Sequence, residues 1–392
     1  MRLIVEKALA GDAAAAARKR WAARFLFFGA GLLFATWGVH IPTVKGVYGL
    51  EVGTLGALIL AAGIGALIGL TQAGWLIGRF GARRVAWLGG AVSALTIALL
   101  LIMPGYLALW VLLAVYGASS GLLDVAMNAY ASELEVQEAR PLMSGFHAMF
   151  SLGGMAGAAI GSVVLQMAAD PRAHVMLVAV FTTAGFGWSM RQIAPPTRAA
   201  SAAAARRERF MLPHGRLLLL GLMAGLGFIV EGSIYDWSVL FVRTERGAAP
   251  EVAALAYAAF SATMALTRFG GDWMRARYTP TALLIGSAVL AGSALALVLL
   301  TPQVWVALVG FALVGVGLAN VVPVLFSAAA NAPGSDAAQG ISAVASIGYL
   351  GFMIGPSAIG FVAQHQSLPV AMGLMVVCAA VLAVTAPKGL KG

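Results

Sequence analysis

Apolar runs of about twenty residues, separated by short clusters of charge, proline and glycine, recur along the chain. Twelve such blocks stand out, at residues 22–45, 51–77, 84–103, 106–132, 140–168, 173–192, 216–242, 251–275, 280–300, 303–329, 337–364 and 368–386. Each is long enough to cross a hydrocarbon core as an α-helix, which takes roughly 20 residues. The pattern predicts an all-α membrane protein of twelve transmembrane helices. The one long polar connection is "APPTRAASAAAARRERFMLPHGR", with Arg198, Arg206, Arg207, Arg209 and Arg216. It predicts a cytoplasmic N-terminal tail (1–21), a six-helix bundle (22–193), a cytoplasmic linker (194–215) and a second six-helix bundle (216–392).

The two parts echo each other at an offset near 198, about half the 392-residue length. "GWLIGRFGARR" (74–84) parallels "DWMRARYTPT" (272–281), "SGLLDVAMN" parallels "VGLANVVPV" (316–324), and "GFHAMFSLGG" (145–154) parallels "GISAVASIGY" (340–349). Parallel repeats joined by a basic loop are an arrangement of secondary transporters.

Composition sharpens this picture. The chain is 61% hydrophobic, only 10% charged, and has a mean hydropathy of +0.91, against about 25% charged residues in soluble domains. The net charge of +10 does not signal a nucleic-acid partner, because the cations sit in clusters between apolar blocks. With the N-terminus inside, only Lys45, Arg172, Arg243 and Arg246 of the 25 Lys and Arg fall outside. The positive-inside rule therefore predicts a multi-pass inner-membrane protein with both termini cytoplasmic. The first twenty residues do not read as a secretory signal. The single Cys378 offers neither a disulfide framework nor a metal-ligand spacing, and no cofactor is expected.

At Gly74, Gly78, Arg79, Gly81, Arg83 and Arg84, with a degenerate copy at Asp272, Arg275 and Arg277, the sequence resembles the major facilitator superfamily. The resemblance covers essentially the whole chain. "GLLDVAMNAYASELE", "RPLMSGFHAMFSLGG" and "GFMIGPSAIG" are similar to a bacterial branch near the fucose/glucose permeases. The resemblance implies alternating access through a cavity lined by the first, fourth, seventh and tenth spans and flanked by the fifth and eleventh. It departs from the family at Gly78, where an aspartate usually precedes the arginine, and at Gly355-Pro356, a pair typical of the fifth span in proton antiporters.

Chemistry inside the spans is sparse. In the fourth, Tyr116, Ser120, Asp124 and Asn128 recur every four residues on one face. An ionised aspartate there costs roughly 2.5–3.5 kcal/mol on insertion scales, so Asp124 is expected to serve proton coupling, the bland alternative being a structural hydrogen bond. In "GFIVEGSIYDWSVL", Glu231 and Tyr235 share a face and Asp236 lies elsewhere. Glu231 is expected in the cavity, assisting Asp124 in proton coupling, and Asp236 at an outer gate or rim, the bland alternative for both being an ion pair with Arg243 or Lys45. His147, flanked by Ser144 and Ser151, is a candidate relay to Asp124 or a packing residue. Trp37 and His40 beside Pro42, together with Tyr116, Ser120, Asn128, Tyr235, Asn320, Ser346 and Tyr349, are candidate substrate contacts. Arg79, Arg83, Arg84, Glu133, Asp236 and Asp272 are candidate gating residues, the arginines pairing with helix C-termini and with Glu133.

No basic residue is expected deep in a span, since Arg268 is placed near the cytoplasmic end of the eighth. That favours a neutral solute or a cation. "GASSG" (117–121) matches a nucleophile pattern but lies within an apolar helix, so no enzyme is expected. The leading expectation is a monomeric proton-coupled symporter importing a neutral sugar-like solute, with protons, that solute and membrane lipids as its partners. Proton-driven efflux of an amphipathic compound is the alternative, and a receptor that has lost transport a remoter one.

Overall fold

In the computed structural model, which describes residues 2–138, 142–193, 214–332 and 337–390, fourteen helices run in sequence and no strand occurs among the described residues. They are α1 (Arg2–Val47), α2 (Val52–Phe80), α3 (Ala82–Leu99), α4 (Tyr106–Glu138), α5 (Met143–Gln166), α6 (Pro171–Gln192), α7 (Gly215–Glu245), α8 (Pro250–Phe269), α9 (Gly271–Arg277), α10 (Pro280–Leu300), α11 (Val304–Leu318), α12 (Val321–Ala330), α13 (Ala337–His365) and α14 (Leu368–Gly389).

Among the described residues eleven spans are long and apolar enough to cross a membrane. The third expected span is α3, whose 18 residues include Arg83 and Arg84 in its first turn. The tenth span divides into α11 and α12 at Ala319–Asn320, three residues before Pro323. That proline can neither donate to the carbonyl four residues back nor avoid crowding it. The expected linker lies outside the described residues except at His214 and Gly215.

The helix starts follow local chemistry. Proline stands in the first turn of α6, α8, α10 and α14, where its missing N–H costs nothing. Side chains of Asp170, Thr279 and Ser367 accept from free amides of α6, α10 and α14. The acidic end of "ASELE" has a similar use. Glu135 Oε1 accepts from the amides of Leu142 (2.6 Å) and Met143 (2.8 Å), so the end of α4 caps the start of α5.

The packing partners repeat through the chain. Helix α1 lies against α5 and α6, α2 against α4, and α3 against α4 and α6. Correspondingly, α7 lies against α13 and α14, α8 against α11, and α10 against α11 and α14. The first six helices meet the rest along two main seams, α5 on α8 and α2 on α13, with α1 touching α7 and α8 between them.

Small residues set the closest approaches, as they do where lipid gives no hydrophobic drive between helices. A side chain at Gly117 would strike the carbonyl of Ala62, and one at Gly65 the carbonyl of Ala114, so α2 and α4 touch backbone to backbone. Because neither backbone can yield cheaply, Gly117→Leu is expected to cost about 1–3 kcal/mol or more. Gly373→Leu, with open space around it, is expected to be near neutral. Melting temperatures of the two variants in detergent check the contrast.

Candidate functional site

Among the described residues three acids lie within the bundle, and each is held differently. Asp124 of α4 is half-buried. Its Oδ2 accepts from the Tyr349 hydroxyl of α13 at 3.4 Å and its Oδ1 from Asn128 Nδ2 at 3.3 Å. Both contacts are long; Asn128 bonds the Asp124 carbonyl more closely, at 2.9 Å. Among the described residues no cation pairs with this carboxylate. The carboxylate is thus neither turned to lipid nor sealed by an arginine.

Glu231 of α7 is buried and pairs with Arg268 of α8, Oε1 to Nη2 at 3.4 Å, while Arg268 Nη1 reaches Ser151 Oγ of α5 at 3.3 Å. This corrects the expectation that no cation reaches inside a span. Arg268 sits in the last turn of α8, but its long side chain carries the guanidinium inward. It also replaces the partners considered for Glu231, since Arg243 instead donates to the carbonyl of Ala248.

Asp236 is buried rather than at a rim. Its Oδ1 accepts from Trp37 Nε1 at 3.0 Å, joining α7 to α1. Trp37 is therefore not presented to a solute in this conformation. His40 is fully buried as well, with Nε2 at 2.8 Å from His174 Nδ1 and Nδ1 at 3.3 Å from Thr43 Oγ1. Nearby on the same end of the bundle, Ser162 donates to the carbonyl of Glu251, and Gly56 lies against Gly360. These contacts close the end that carries the α1–α2 turn.

An aromatic row, unforeseen from the sequence, runs across the seam. Phe150 meets Phe34, Phe34 meets Tyr235 (5.3 Å) and Phe352 (6.1 Å), and Phe352 meets Phe228, which stacks on Tyr349 at 5.6 Å. Tyr257 and Phe260 complete the surroundings of Tyr235. The row links α5, α1, α7 and α13 to the hydroxyl that contacts Asp124.

Other candidates fall elsewhere. Ser120 is 3.2 Å from Ser93 of α3 and so faces that helix, not the seam. Tyr116 and Tyr235 are buried. Asn320 is buried beside Met274 Sδ at the start of α12, remote in its contacts from Asp124. Ser346 is half-buried on α13. His147 is exposed, its ring edge-on to Phe27, and makes no contact with Asp124. The side chains of Ser144, Asp272 and Ser342 lie outside the described residues.

The gating candidates show two patterns. Arg83 donates to the carbonyl of Ile193 at the end of α6 (2.9 Å), as expected of a helix C-terminus. Glu133 is exposed and pairs with no arginine among the described residues; an ion pair at this end joins Arg20 to Glu138, at 2.9 Å.

These features define a polytopic, all-helical membrane protein whose repeated packing brings polar groups to the seam between its two sets of helices. The chain belongs to the Major Facilitator Superfamily, whose family model matches residues 25–356. It is a transporter of that superfamily, whose members carry small molecules rather than catalyse reactions. An uncharacterized MFS-type transporter of Yersinia pestis is 36% identical over 366 residues, covering 92% of each chain. An uncharacterized transporter of Sinorhizobium fredii is 33% identical, covering 91% of this chain and 94% of its own. Among solved structures, the nucleoside transporter NupG aligns at a TM-score of 0.74 and 12% identity, over 95% of this chain and 99% of that one. The xylose transporter XylE from E. coli, in a partially occluded inward-open conformation, gives 0.74 and 13% over 95% and 99%. The E. coli fucose:proton symporter FucP gives 0.62 and 18% over 95% and 98%. At such identities the likeness is one of fold.

The Glu231–Arg268 pair yields a direct test. Arg268→Gln strands a buried carboxylate and Glu231→Gln a guanidinium, and each is expected to cost about 3 kcal/mol. The double variant should cost less than the sum, as a thermal-unfolding double-mutant cycle will measure.

Proposed function

We propose that the protein is a secondary active transporter that imports a small, neutral, sugar-like solute across the inner membrane by alternating access, with Asp124 carrying the coupled proton. The observation that carries this reading is the state of Asp124: a carboxylate within a span, half-buried, without a cation, and loosely tied across the seam to Tyr349. Intramembrane acids are costly and mark ion or substrate pathways. A group held by a cation is locked in its charge, whereas one held by a hydroxyl and an amide can take up a proton and release its partner.

The moving units in this reading are the bundles 22–193 and 216–392, supported by the repeated packing partners. Cytoplasmic termini are supported by 21 of the 25 Lys and Arg falling on that side. With that orientation, the Trp37–Asp236 bond and the Gly56–Gly360 contact close the outer end, which corresponds to an inward-facing state. Glu231 neutralises Arg268, so among the described residues no unpaired Lys or Arg is left in the interior for an anionic solute. Tyr349, Asn128 and Ser346 supply hydroxyl and amide groups, and the aromatic row supplies flat surfaces for a sugar ring. Those same rings favour the second reading, proton-driven efflux of an amphipathic compound.

Transport by proteoliposomes, with a panel of labelled monosaccharides and imposed proton gradients, separates these readings by the sign of flux. One proton moving through a potential of about 100 mV supplies about 2.3 kcal/mol, enough for roughly fiftyfold accumulation. Asp124→Asn is expected to abolish accumulation and its pH dependence while leaving solute exchange. Unchanged accumulation in that variant would refute coupling through Asp124.

A further inference from the structure

Two tryptophan–arginine pairs occupy matching places in the repeat. Trp75 with Arg79 ends α2, and Trp273 with Arg277 lies in α9; the members of each pair stand 198 residues from their counterparts, as Tyr278 does from Phe80. Arg79 Cζ is 5.8 Å from the Trp75 ring centre and 5.6 Å from that of Phe80, and Arg277 Cζ is 4.0 Å from Trp273. Both indoles are more than half exposed, at 60% and 58%. Among the described residues neither guanidinium makes a hydrogen bond or an ion pair. Each guanidinium carbon thus lies over a ring, while its N–H groups have no partner among the described residues.

The aromatic–arginine pair at the opposite end shows what a purely structural version looks like. Arg246 lies 4.5 Å over Phe241, but its terminal Nη1 and Nη2 groups donate to the carbonyls of Glu245 (3.1 Å), Val298 (2.9 Å) and Leu299 (3.0 Å). The Trp75 and Trp273 pairs have the stacking without the occupied donors. A planar fork with free N–H groups matches a phosphate bidentately. An exposed indole beside it settles at the depth of lipid headgroups. Further cations follow closely in the sequence: Arg84 stands five residues after Arg79 and Arg275 two before Arg277, and both are exposed.

We propose that these two pairs are binding sites for the headgroup of an anionic phospholipid, one on each repeat, with the phosphate on the arginine edge and the glycerol region against the indole. A zwitterionic lipid would bring its own ammonium against the same cations, so the preference is for net negative headgroups, as basic clusters at this membrane boundary generally show. The sites go beyond the transport reading and do not depend on which solute is carried.

Native mass spectrometry of the full chain in detergent, titrated with dioleoyl phosphatidylglycerol or dioleoyl phosphatidylcholine, tests the proposal. The wild-type protein is expected to retain two phosphatidylglycerol molecules in preference to phosphatidylcholine. R79Q/R277Q is expected to lose that preference by about fivefold per arginine while melting at the wild-type temperature in phosphatidylcholine. R79K/R277K, which preserves the charge but not the fork, serves where the glutamine pair does not fold and is expected to keep the preference for phosphatidylglycerol while retaining less of either lipid than the wild type. Equal retention by wild type and variants would overturn the proposal. Displacement of the lipid by millimolar inorganic phosphate would overturn it too, by showing a general anion site.

Discussion

Hydrocarbon offers a polar side chain nothing to bond with, so such a group in a span depends on its own helix or on one that packs against it. The three interior acids show three outcomes of that constraint. Glu231 has a cation, Arg268, brought from the neighbouring helix. Asp236 has an indole N–H from α1. Asp124 has only a long contact to a tyrosine hydroxyl and another to an amide. The first two are committed to particular neighbours. The third can change its charge at the smallest structural cost, which is why the proposed coupling rests on it.

The seam connects that chemistry to motion. Its tightest contacts, such as Gly56 on Gly360 and Trp37 on Asp236, gather at the end carrying the α1–α2 turn, while the aromatic row passes through the interior to Tyr349. A proton arriving on Asp124 alters the group that Tyr349 contacts, and Tyr349 stacks on Phe228, which meets Phe352 and through it Phe34. In the proposed mechanism this row is the physical route by which protonation on α4 biases packing between the two sets of helices.

Much of the architecture was legible in the sequence because lipid imposes a length and a polarity that soluble packing does not. Expected blocks such as 106–132 and 280–300 coincide with α4 and α10 to within a few residues or better. The pattern was blind to the break at Asn320, where Pro323 interrupts an otherwise apolar run. The site was legible where a polar residue is rare in its own helix, as Asp124 is. It was not legible where a long side chain travels, as with Arg268, whose position at a helix end concealed an inward guanidinium. Nor did periodicity within one helix identify partners on another. Ser120 shares a face pattern with Asp124 yet bonds to Ser93, and His174 and Phe352 carried no signal beyond their composition.

Coupling requires that Asp124 gain and lose a proton while in contact with Tyr349. Infrared difference spectroscopy of the purified protein between acidic and alkaline pH reads that carboxyl directly. The expected result is a protonated-carboxyl band that titrates, vanishes in Asp124→Asn and shifts in frequency in Tyr349→Phe. A titrating band that survives unchanged in Asp124→Asn, or the lack of any such band in the wild-type protein, would contradict it.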